Sequence, residues 1–213
     1  NALIWGFNSS IVKLGVITLN PLVYTAWRYI LIWPLLFFIP RPQTSWKNII
    51  WANVATCSVT TLAATVMYLG VGAGISTVVV QTQVFLTALL AFILWRERPS
   101  RNSWIGMSVA FIGVSLIALR LGSQVSYLGI ILMFITALCW AGMNVIFRQV
   151  RGVNMFHLIV WGSLILPLPL LLLSMIFFGP TSVLQNPIDF SLTTIFSLFY
   201  SGFISGLAGN ICV

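Results

Sequence analysis

Acidic residues are almost missing from this sequence. Of its 213 residues two are Asp or Glu, namely Glu97 and Asp189, and only 6% carry a charge of either sign. Soluble domains carry about 25% charged residues, so this chain has too little polar surface to be covered by water. A soluble enzyme, a secreted disulfide scaffold and a disordered chain are excluded on that ground. There is one histidine, His157. A single His with no acid beside it makes neither a metal site nor the oriented base of a Ser/His hydrolase, and it reads as a solvated interfacial side chain. Cys57, Cys139 and Cys212 lie in apolar runs without CxxC spacing and read as small packing residues. There is no GxGxxG and no phosphate loop. No catalytic residue, cofactor or metal is expected.

What the chain has instead is apolar length. Hydrophobic residues make up 60% of it, and the mean hydropathy is +1.06. The apolar runs are continuous, whereas the strands of a membrane barrel alternate. Gly, Pro and charge divide them into eight stretches near 3–19, 22–39, 48–70, 75–95, 103–120, 127–147, 155–178 and 192–213, each near the length that spans a bilayer as a helix. The expected fold class is all-α, a polytopic helical membrane protein, with the lipid bilayer as its solvent and no nucleic-acid partner despite a net charge of +8. If the first span runs outward, the inner connections hold Arg41, Lys47, Arg96, Arg98, Arg101, Arg148 and Arg151, and the outer ones hold Arg120. That bias places the N-terminal end in the cytoplasm.

A weak internal repeat runs through the chain. Trp5, Ser9 and Lys13 recur as Trp140, Asn144 and Arg148 at an offset of 135, and Asn20 and Trp27 recur as Asn154 and Trp161 at 134. A five-helix unit inverts its second copy in the membrane, and inverted repeats are a recurring build of secondary transporters, with the substrate site at the repeat interface. The first copy is read as 1–122 and the second, incomplete, as 123–213. Carrying the offset forward, the second copy is expected to end near roughly residue 255, two spans further on.

Specific runs resemble a known family. Ile4-Trp5-Gly6-Phe7-Asn8 through Lys13-Leu14-Gly15, Pro21 and Arg28-Tyr29 are similar to the opening of EamA-type members of the drug/metabolite transporter superfamily. Val80-Gln81-Thr82-Gln83-Val84-Phe85 resembles that family's fourth helix, and Arg96-Glu97-Arg98 its "GER" helix end, with Arg96 in place of the Gly. Leu138-Cys139-Trp140-Ala141-Gly142-Met143-Asn144 looks like the start of the second domain. The resemblance implies ten helices in two inverted five-helix domains, a bacterial inner-membrane location, and efflux of small amino acids or metabolites of the O-acetylserine and cysteine kind.

Two cations fall inside spans, where charge is costly and functional by default. Lys13 and Arg28 lie 7 and 8 residues from Asn20 on either side, at similar depth, and no span contains an acid to neutralise them. A substrate carboxylate would do so; snorkelling to the interface is the alternative, easier for Lys13 than for Arg28. Trp5 and Trp140 begin polar stripes that continue through Ser9 and Asn144; these either face a cavity or pack with Trp as an interfacial anchor. Gln81 and Gln83 point about 200° apart on a regular helix, so one is expected to face substrate and the other a neighbouring helix, and Asn8 is a weaker case of the same kind. The expected substrate-binding set is Arg28, Lys13, Trp5, Asn8, Gln81, Gln83, Trp140 and Asn144. Gly202-x-x-x-Gly206 is expected to admit a close helix neighbour, and Pro34, Pro167 and Pro169 to kink their spans. The function expected is alternating-access export of a small carboxylate-bearing metabolite. A transporter of another organic anion or nucleotide-sugar, or a structural membrane subunit, are the competing readings.

Overall fold

The computed structural model describes residues 2–97, 99–120, 127–150, 152–183 and 190–208. Arg98, Arg151, Asp189 and Cys212 lie outside the described residues. All regular elements described are helical: α1 (Ala2–Val16), α2 (Pro21–Ile30), α3 (Trp46–Tyr68), α4 (Ala73–Val80), α5 (Gln83–Trp95), α6 (Arg101–Arg120), α7 (Tyr127–Gln149), α8 (Met155–Gly162), α9 (Pro167–Phe178) and α10 (Leu192–Phe199). Helices satisfy every backbone group within one segment, which is what an apolar chain in lipid requires. Trp46–Tyr68, Ala73–Trp95 and Tyr127–Gln149 are each 23 residues long and apolar enough to cross a bilayer. α8 and α9, bent by 48° at their junction, are together apolar and long enough for a fourth span or a re-entrant loop.

Polar residues mark where the helices start. Asn20 caps α2 by accepting from the Val23 amide at 2.9 Å, with Pro21 in the first turn where its missing N–H costs nothing. Asn154 caps α8 in the same way, accepting from Phe156 at 3.0 Å. Asn20 and Asn154, 134 residues apart, are therefore both helix N-caps. Ser45 and Ser191 cap α3 and α10.

Four of the stretches expected as spans are irregular. Beyond α2 the chain tightens into a 3-10 turn at Trp33–Phe37 containing Pro34. α8 and α9 break just before Pro167, which cannot donate to a continuing helix. Between α4 and α5 the amides of Gln81 and Thr82 bond three residues back, to Val78 and Val79, although neither Pro nor Gly is present there. α10 runs on as a π-helix at Tyr200–Ala208.

α3 is the hub, in contact with α1, α2, α4, α7 and α8. Its Ala64 and Met67 pack with Val12, Val16, Tyr24 and Leu198 in one buried cluster, and its Ala52 packs with Val150 and Leu158 in another. At one end of the bundle Trp46 meets Trp161, Trp161 donates to the Ile39 carbonyl, and Glu97 meets Arg148. At the other end Thr18 bonds Thr194 at 2.7 Å, Asn20 bonds Ser174 at 3.1 Å, and Tyr68 packs on Phe178. Arg41 and Arg148 thus share an end, opposite the turn at Asn20.

Candidate functional site

A cavity of about 290 Å³ opens among α1, α2, α3 and α4, with α7 as its fifth wall. Its lining falls mostly within residues 1–122, and α7 alone contributes from beyond them. α1 presents Trp5, Asn8 and Ser9; α2 presents Tyr24, Thr25 and Arg28; α3 presents Thr56, Thr60 and Met67; α4 presents Ser76 and Thr77. Trp140 and Met143 close it from α7, and Gln81 reaches in from the break after α4. The Trp5 and Trp140 rings touch, with centroids 5.5 Å apart.

Arg28 dominates the electrostatics. It is 6% exposed, lines the cavity, and its Nε has no hydrogen-bond partner. Among the described residues the one ion pair joins Arg148 to Glu97, far along the sequence from Arg28. The guanidinium fits because span eight is glycine on the side that faces it. A Cβ at Gly206 would lie 2.9 Å from Arg28 Nη2, and one at Gly202 would lie 3.1 Å from the Arg28 carbonyl. The Gly202/Gly206 pair therefore does admit a close neighbour, as expected, and what it admits at Gly206 is a charged side chain.

Tyr24, one turn before Arg28, anchors α2 to the same span. Its hydroxyl bonds Ser197 Oγ and Ser201 Oγ, both at 2.9 Å. Ser197 Oγ in turn donates to the Ile11 carbonyl at 2.6 Å. Threonines of the cavity wall turn their hydroxyls onto their own helices, Thr25 to Pro21 O at 2.8 Å and Thr56 to Ala52 O at 2.9 Å. Thr77 ties α4 to α1 through Ser9 at 2.8 Å.

Five of the eight residues expected to contact substrate border this one cavity: Arg28, Trp5, Asn8, Gln81 and Trp140. Three do not. Lys13 reaches towards the Val71 carbonyl at 3.4 Å, between α3 and α4, and so withdraws from Arg28. Asn144 donates to Gln83 Oε1 at 3.0 Å and to Thr87 Oγ1 at 3.2 Å, so both amides are consumed in the contact of α5 with α7. The break after Val80 separates the two glutamines, leaving Gln81 at the cavity and Gln83 against α7. Thr25, Thr56, Thr60, Ser76 and Thr77 are wall residues that residue-type reasoning passed over. Their signal is a small hydroxyl recurring at i and i+4, as at Thr56 and Thr60 within an otherwise apolar run.

A bundle of spans around a polar cavity with a buried cation is the build of a multi-pass membrane transporter. The sequence matches the EamA-like transporter family over residues 1–119, and the chain belongs to that family. It is 29% identical over 215 residues to a "probable amino-acid metabolite efflux pump" of Salmonella typhimurium, an alignment covering 97% of this chain and 72% of the relative. A protein of the same description in Escherichia coli is 27% identical over 97% of this chain and 72% of its own length. An uncharacterized transporter of Acidianus ambivalens is 30% identical over 131 residues, covering 62% of this chain and 49% of that protein.

Proposed function

We propose that this transporter exports small amino acids or amino-acid metabolites of the O-acetylserine and cysteine kind, by alternating access, across a bacterial inner membrane. Arg28 carries the reading. A buried guanidinium with an unpaired Nε beside an open cavity calls for an anion, and its planar fork matches a carboxylate bidentately. A cavity of about 290 Å³ suits a small molecule better than a nucleotide-sugar. The efflux pumps among the relatives, similar over nearly the whole chain, support the same class.

The architecture proposed is two inverted repeats, 1–122 and a second beginning at 123, with the N-terminal end in the cytoplasm. The matched helix caps Asn20 and Asn154 support the repeat, and the cation bias of the end that holds Arg41 and Arg148 supports the orientation. Alternating access would then exchange the two ends about the cavity.

Reconstitution of the full-length protein in liposomes tests the function. Counterflow of labelled cysteine, O-acetylserine and alanine, with no counterflow of a nucleotide-sugar, is the expected result. Movement of the nucleotide-sugar with none of the amino acids would overturn it.

A further inference from the structure

Among the described residues, four buried side-chain polar atoms find no hydrogen-bond partner, and two of them belong to residues that line the cavity. Arg28 Nε is a donor and Asn8 Oδ1 an acceptor. The other two, Tyr29 Oη and Asn53 Oδ1, belong to residues outside the cavity wall. Buried polar groups in native proteins are nearly always paired, and an exception asks for an explanation. The residues that carry this donor and this acceptor line the same cavity, and the two atoms do not satisfy one another. A molecule that satisfies both must present an acceptor to Arg28 and a donor to Asn8.

The surroundings of Asn8 indicate which donor. Trp5 lies one turn away on the same face of α1, and its ring meets Trp140 across the cavity wall. Indole faces attract cations. Among the described residues no acid lines the cavity. An amide oxygen one turn from an indole that meets a second indole can hold an ammonium through a hydrogen bond and ring electrostatics, while the ammonium's own carboxylate sits on Arg28.

We infer that Asn8 is a specificity-determining residue that accepts a hydrogen bond from the substrate ammonium, so that the cavity reads a zwitterion, carboxylate on Arg28 and ammonium on Asn8 beside Trp5 and Trp140. This rests on the carboxylate site proposed at Arg28. It adds that a bare carboxylic acid is a poor ligand, because it leaves Asn8 Oδ1 unanswered.

The test is equilibrium binding of labelled L-alanine and propionate, which differ by the amino group alone, to the full-length protein in lipid nanodiscs. Alanine should bind at least about tenfold more tightly, the size of one hydrogen bond to a charged group. Asn8→Leu should remove that advantage, weakening alanine about tenfold and leaving propionate within about twofold. Asn8→Asp is nearly isosteric and guards against misfolding of the leucine variant. It should hold or tighten alanine and weaken propionate, since a fixed anion repels a bare acid. Equal affinity of the unaltered protein for the two compounds, or parallel loss of both in Asn8→Leu and Asn8→Asp, overturns the inference and leaves the Arg28 site standing. Binding of neither compound overturns the Arg28 site and this inference together.

Discussion

α7 borders two polar regions that use the same residue types to opposite ends. On its α5 side, Asn144 donates to Gln83 and Thr87, and Arg148 grips both carboxylate oxygens of Glu97, one at 2.6 Å, while lying over the Trp95 ring at 4.3 Å. Each polar side chain there answers another. On its cavity side, Trp140 looks across at Asn8 and Arg28, where an amide and a guanidinium are buried with polar atoms unanswered. Arg148 is 31% exposed and water serves what Glu97 does not; Arg28 is 6% exposed and has no such recourse. The α5/α7 seam is finished when the protein folds. The cavity residues leave Arg28 Nε and Asn8 Oδ1 without partners.

That contrast fixes where substitutions should act, on transport or on stability. The largest effect is expected at Arg28. A hydrogen bond to a charged group is worth about 1.5–3 kcal/mol, so Arg28→Gln should slow uptake of carboxylate substrates into proteoliposomes by roughly ten- to a hundredfold. Arg28→Lys should recover only part of it, because the planar fork is lost. Initial rates equal to those of the unaltered protein would erase the distinction between cavity and seam.

Gly206→Ala should come next. The added Cβ would meet Arg28 Nη2 at 2.9 Å and the Ser201 carbonyl at 2.8 Å. Overpacking of this kind costs about 1–3 kcal/mol. The guanidinium is a flexible chain end and can yield, whereas the Ser201 carbonyl is backbone and cannot do so cheaply, so Gly206→Ala should both lower the unfolding midpoint and weaken L-alanine binding several-fold in a titration of the protein that remains folded. Unchanged affinity would mean that the glycine does not position Arg28.

On the seam the outcome reverses. Gln83→Leu with Asn144→Leu removes both partners of an interhelical hydrogen bond, worth about 0.6–2 kcal/mol in membrane proteins. Thermal unfolding in detergent should register a loss of that order, with substrate affinity within about twofold. A selective loss of substrate binding would move these amides into the site. The smallest effect is expected at Arg96, which ends α5 in the left-handed conformation at φ 56°. A non-glycine residue costs about 1–2 kcal/mol there. Arg96→Gly should raise the unfolding midpoint by a few degrees and leave transport unaltered.

The spans and their breaks were legible in the sequence to different degrees. Long apolar runs announced the helices because lipid leaves the backbone no other regular choice than helix or closed barrel. The breaks at Pro34 and Pro167 followed from the missing N–H of proline. The break at Gln81–Thr82 carries no such residue, and neither does the π-helix at Tyr200–Ala208, where the Ser201-Gly202 and Ser205-Gly206 pairs are the sequence signal instead. Residue type picked out Arg28, Asn8 and Gln81, and for the same reason picked out Lys13, Asn144 and Gln83. Telling them apart requires knowing which neighbour each one meets. Lys13 finds a carbonyl at the end of α3, and Asn144 finds Gln83. The threonines of the cavity wall stayed hidden because a hydroxyl bonded to its own helix behaves as an apolar surface towards the rest of the sequence pattern.

The Arg28 guanidinium, with its Nε unpaired, is proposed to seat a substrate carboxylate. The most direct test of this is the binding of L-alanine and L-alanine methyl ester to the unaltered protein and to Arg28→Gln, both in nanodiscs and both shown to be folded by thermal unfolding. The account predicts that the acid outbinds the ester by roughly ten- to a hundredfold in the unaltered protein and that Arg28→Gln collapses this ratio towards one by weakening the acid alone. An equal loss of acid and ester in Arg28→Gln would contradict it and remove Arg28 from the site.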